Sequence, residues 1–168
     1  MPWLGIDPRM IHLSLCLVAA AIAALALFVW RARPDSKVNR WFAAFTFSTA
    51  GWVLGVAGFF GGTHVDAWGR FTFASASLIP AAFFLFAHSY STAAQWPSSV
   101  WTRVVLFFGL TFAFLSFMTP LIAHDTSITA AGLTRKSGPL YPLFALYFIA
   151  TWSCGLGICV YKWRRARG

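Results

Sequence analysis

Five stretches of this sequence run for about twenty residues or more without an Asp, Glu, Lys or Arg. They are Met10 to Trp30, Trp41 to Val65, Phe71 to Thr102, Val104 to His124 and Ser137 to Tyr161. A helix needs ~20 mostly apolar residues to cross the hydrocarbon of a bilayer. No water is present there, so each backbone N–H and C=O must be satisfied within the segment, as an α-helix does. The spacing therefore predicts an all-α, polytopic transmembrane bundle with spans near 10–30, 41–61, 71–92, 103–122 and 140–161. These form a single membrane domain over 1–168. No ten-residue alternation of the kind a transmembrane barrel requires is present.

Composition agrees and excludes other classes. Only 10% of residues are charged, 59% are hydrophobic and 18% aromatic, with a mean hydropathy of +0.69. A soluble domain carries about 25% charged residues, so a water-facing surface cannot be built here. A disordered chain would be far less apolar. The net charge of +9 lies between apolar runs rather than on one basic patch, which argues against nucleic acid as a partner. Cys16, Cys154 and Cys159 all fall within apolar runs, so no disulfide framework is expected.

The first run is longer than a signal-peptide core and ends in Trp30-Arg31-Ala32-Arg33, so it reads as a retained anchor. Positive charge fixes the direction of insertion. Nine basic residues (Arg31, Arg33, Lys37, Arg40, Arg103, Lys162, Arg164, Arg165, Arg167) fall on one side and four (Arg9, Arg70, Arg135, Lys136) on the other. The N-terminus is thus expected outside and the C-terminus in the cytoplasm. Trp3, Trp30, Trp41, Trp68, Trp96, Trp101 and Trp163 fall near expected interfaces, as an aromatic belt does. The longest connection, Ala123 to Pro139, is too short for a domain and reads as a loop.

Within the spans, Gly51, Gly55, Gly58 and Gly62 recur at intervals of 4, 3 and 4 and are expected on one packing face, inside this bundle or at a homodimer seam. Ser77, Phe84, His88 and Ser91 share a stripe of the third span. Pro80 removes the hydrogen bond to the Ala76 carbonyl and should kink it. Pro80 and His88 are the candidates for a switch, because an ionisable group in a membrane segment is a functional candidate. Trp52 and Trp152, near mid-bilayer, are candidates to line a small apolar pocket; core packing is the plainer alternative. His12 and His88 differ in depth by ~25 Å at 1.5 Å per residue, so they cannot share a haem. An outer set of His12, His64, His124, Asp66 and Asp125 is the remaining conceivable metal cluster. No cofactor or metal is expected, and no nucleophile–base pair, Walker loop or dinucleotide fingerprint suggests catalysis.

Certain short motifs carry a resemblance. Asn39-Arg40-Trp41-Phe42 opens the second span, with Trp52 and Gly55 inside it. Trp68-Gly69-Arg70-Phe71 and Leu78-Ile79-Pro80 run into Phe86 to Tyr90 in the third. Gly138-Pro139-Leu140-Tyr141 and Phe144 to Tyr147 open the fifth. In this order they resemble the N-terminal seven-helix membrane region of bacterial histidine kinases. The resemblance implies a sensory input module in the bacterial inner membrane, with a cytoplasmic signalling output domain as partner. The family continues through two more helices where this sequence reaches Gly168, so it reads as a fragment or a stand-alone remnant. An accessory subunit of a larger electron-transfer or pigment-binding membrane complex, or a small transporter, are the other readings.

Overall fold

The computed structural model describes residues 7–90, 99–129 and 132–167. Five helices follow in order: α1 (Pro8–Ala32), α2 (Lys37–Phe60), α3 (Val65–Ser89), α4 (Ser99–Met118) and α5 (Tyr141–Arg167). All five are long and apolar enough to span a membrane. Side chains that water would not tolerate on a surface face outward: Leu17 and Phe28 are each 72% exposed, Phe107 65% and Leu146 64%. Such a belt is expected where the surrounding solvent is lipid.

Most helix ends lie outside the charge-free limits. Lys37 and Arg40 lie in the first turns of α2, Asp66 and Arg70 in those of α3, and Lys162, Arg164 and Arg165 in the last turns of α5. Long charged side chains can continue a helix while their heads reach the interface, so the first charge does not mark its end. Caps mark it better. Asp7 accepts from the Arg9 N–H at the start of α1, and Ser36 from the Asn39 N–H at the start of α2. The α4 helix instead ends early, at Met118, where Thr119 Oγ1 donates to the Leu115 carbonyl ahead of Pro120. The expected end of the third span at Thr92 lies outside the described residues, as do Ser91, Trp3 and Trp96.

The connection between α4 and α5 is not a plain loop. Strands β1 (Ala123–Thr129) and β2 (Gly132–Ser137) pair antiparallel, with a register shift between His124 and Ser127. The Ile and Thr residues here favour a strand, but the alternation is too short to stand out between two long apolar runs. The all-α description therefore holds for the spans and not for this hairpin. Two features pin the hairpin's base. Ile122 is fully buried beneath it, and Gly138 N donates to the Ile122 carbonyl at 3.0 Å. A Cβ at Gly138 would meet the Leu121 and Pro120 backbone.

The hub of the bundle is α3, which touches α2, α4, α5 and β1; α1 packs on α2. Of the apolar window of α3, 56% is buried, against 11% for α1. Two apolar clusters flank its middle. One gathers Phe112, Ile122 and Phe144 beside Phe73 and Tyr147; the other gathers Phe84, Leu85, Ala87 and Ile158 beside Trp41. By contrast, α4 and α5 scarcely touch each other.

Candidate functional site

Lipid supplies little hydrophobic drive between helices, so close backbone approach must hold them together. The α2–α3 seam has that form. A Cβ on Gly51 would lie 2.8 Å from Ser75 Oγ, one on Gly55 would lie 3.0 Å from Thr72 Cα, and one on Gly58 would enter the Trp68 ring. Gly62 is not part of this face. It lies beyond the helix at φ +74, where an added Cβ would meet nothing within 4 Å, and it serves the turn into α3. Trp52 is also elsewhere. One residue after Gly51 it is rotated by ~100°, and it is 43% exposed on the outside of α2. Among the described residues it makes none of the ring contacts that Trp152 makes with Phe45, Phe83 and Phe148.

Pro80 is fully buried near the centre of α3. Proline lacks the N–H that would bond to the Ala76 carbonyl, so the helix is weakest at this turn. The α5 helix grips α3 on both sides of it. On one side Tyr147 Oη donates to the Ser77 carbonyl at 2.9 Å, the carbonyl next to the one Pro80 leaves without its donor. Gly109 of α4 closes over the same point. Its Cβ would lie 2.9 Å from both Ala81 Cβ and Tyr147 Oη, so any larger residue would compete with this hydrogen bond.

On the other side Trp152 stacks on Phe83, with centroids 4.6 Å apart, and joins Phe45 and Phe148 in one aromatic group. Gly155 lets α5 approach: its Cβ would be 2.8 Å from the Phe83 ring. At the end of α3, Lys162 Nζ donates to the Ala87 and His88 carbonyls at 2.9 and 2.7 Å. These belong to the last turn, whose carbonyls lack partners within the helix, and a cation there also opposes the helix dipole. Lys162 is thus turned into the bundle, onto the end of α3. In this arrangement His88 contributes its carbonyl.

Of the conceivable outer His/Asp set, His12 and Asp66 are engaged elsewhere. His12 Nδ1 donates to the Ala57 carbonyl at 2.9 Å, which is left free because Gly61 N bonds to Gly58 O instead. Asp66 pairs with Arg70 at 3.2 Å, and His64 leads into α3 with φ 52. Among the described residues no three His, Cys, Asp or Glu side chains gather as metal ligands. Arg135 of β2 caps this same end of the bundle, where α3 and α5 begin. It lies 4.5 Å over the Phe73 ring and 4.9 Å over Tyr141, and donates to Tyr141 Oη at 2.8 Å.

Sequence reasoning missed Tyr147, Gly109 and Lys162 as parts of this site. Their partners lie on other helices, and no local spacing could have shown the pairing. A cavity of about 1050 Å³ runs between α4 and α5, walled at the back by α3 through Phe84.

The chain matches the family model described as the N-terminal 7TM region of histidine kinase over residues 14–168. No curated protein and no solved structure gives a match. The chain belongs to that family, which is the membrane input region of a histidine kinase and not its catalytic domain.

Proposed function

We propose that this chain is the input bundle of a bacterial sensor kinase, and that it transmits through the angle of α3 at Pro80. The observation that carries this reading is the double grip of α5 on α3, by Tyr147 on one side of the proline and by Trp152 and Lys162 on the other. A helix held on both sides of a weak turn cannot change its bend without moving the helix that holds it. The reading makes α5 the follower and carries its motion toward a cytoplasmic output domain. A stimulus biases the bundle only if it has different affinity for two arrangements, and two settings of this kink supply them. Pro80→Ala restores the missing N–H. It should leave insertion and yield intact while changing output several-fold when the bundle is joined to a histidine kinase catalytic segment. Unchanged output per folded molecule would sink the reading.

In this proposal the bundle lies in the inner membrane with its N-terminus outside and its C-terminus in the cytoplasm. The nine-to-four division of basic residues supports that orientation. It puts the α1–α2 turn inside and the α2–α3 turn outside. With the native cysteines replaced, a cysteine at exposed Asp35 should react with an impermeant thiol reagent only after the membrane is opened. One at exposed Thr63 should react in intact cells. The reverse pattern would invert the bundle and place α5's basic end away from any kinase.

A further inference from the structure

The α4–α5 cavity is more than a gap in packing. Its α5 wall includes Tyr147, Thr151, Cys154, Ile158 and Tyr161, a stripe with steps of 4, 3, 4 and 3. The next step of 4 is Arg165, whose Nη1 donates to Tyr161 Oη at 3.4 Å. The stripe thus ends in an exposed guanidinium, with Arg164 beside it in sequence and Trp101 on the opposite wall. From Tyr161 to Tyr147 the groove runs ~21 Å at 1.5 Å per residue. That exceeds the ~15 Å of hydrocarbon in one leaflet. Its floor is hollow where Gly157 stands: a Cβ there would meet nothing within 4 Å. At the far end is the hydroxyl that holds α3 at Ser77.

We propose that this groove is a binding site for one anionic phospholipid, with the headgroup phosphate on Arg165 and an acyl chain lying along α5 as far as Tyr147. A long apolar trough with a cation and aromatic rings at one mouth is complementary to that molecule. Charge favours an anionic headgroup there over a zwitterionic one. The site deepens the kink reading in one respect: an acyl chain touching Tyr147 would bear on the same hydrogen bond. That coupling rests on the proposed function, whereas lipid binding does not.

Native mass spectrometry of the whole chain in detergent tests the site, with added phosphatidylglycerol or phosphatidylcholine of identical acyl chains. The wild-type chain should retain one phosphatidylglycerol at least five-fold better than phosphatidylcholine. Arg165→Gln should remove that preference. Gly157→Leu, whose side chain enters open space, should cut retention of phosphatidylglycerol at least ten-fold at unchanged melting temperature. Equal retention of the two lipids, or undiminished retention by folded Gly157→Leu, would overturn the proposal. So would a dimer in place of the lipid adduct, which would give the groove to a second copy. Should Gly157→Leu fail to fold, alkylation of exposed Cys154 in the wild-type chain decides. Phosphatidylglycerol must slow it and phosphatidylcholine must not, and equal rates would overturn the site. Because the readout is binding, a positive result with unchanged kinase output would refute only the kink reading.

Discussion

Gly55→Leu should nearly abolish recovery of the folded bundle. A Cβ at this position would already lie 3.0 Å from Thr72 Cα and 3.1 Å from Thr72 Cβ. The first of these is backbone, so no rotamer change relieves it, and α3 as a whole must move away. Overpacking a close interface typically costs ~1–3 kcal/mol and occasionally more, and the displaced helix here is the hub that α2, α4 and α5 share. A fall in melting temperature on the order of 10 °C in detergent, with sharply reduced yield, is the expected result. Gly157→Leu adds the same side chain on α5 where nothing lies within 4 Å and should melt near the wild-type temperature. The contrast separates seam packing from a general intolerance of leucine. Equal melting of the two variants would mean that the α2–α3 seam is not closely packed.

The apolar runs made the five helices legible, because membrane-spanning segments must satisfy their backbones alone and announce themselves by length. Their ends were less so, since Lys37, Arg70 and Lys162 extend helices past the first charge. The hairpin at Ala123–Ser137 was hidden because a short pattern of Thr and Ile looks like an ordinary polar connection. Pro80 stood out because proline breaks a rule of helices in any context. What makes it a candidate hinge did not stand out: Tyr147 lies 70 positions from Ser77, and Lys162 lies 75 from Ala87. Trp52 and Trp152 looked alike in sequence, yet only Trp152 joins the aromatic group beside Phe83. Depth can be counted along a chain, but helix rotation is set by the neighbours.

A double-mutant cycle in the bundle joined to a histidine kinase catalytic segment shows whether Tyr147 acts on the Pro80 turn. Tyr147→Phe keeps the ring beside Phe112, 5.0 Å away, and deletes only the hydroxyl. Loss of one hydrogen bond of ~1 kcal/mol shifts a two-state equilibrium about five-fold, so autophosphorylation per folded molecule should change by about that factor. In the Pro80→Ala background α3 regains its N–H, and the kink on which the tyrosine acts is gone. Tyr147→Phe should then have no further effect on output. Independent, additive effects of the two substitutions, or a Tyr147→Phe protein that signals like wild type, would mean that Tyr147 does not act through the Pro80 turn.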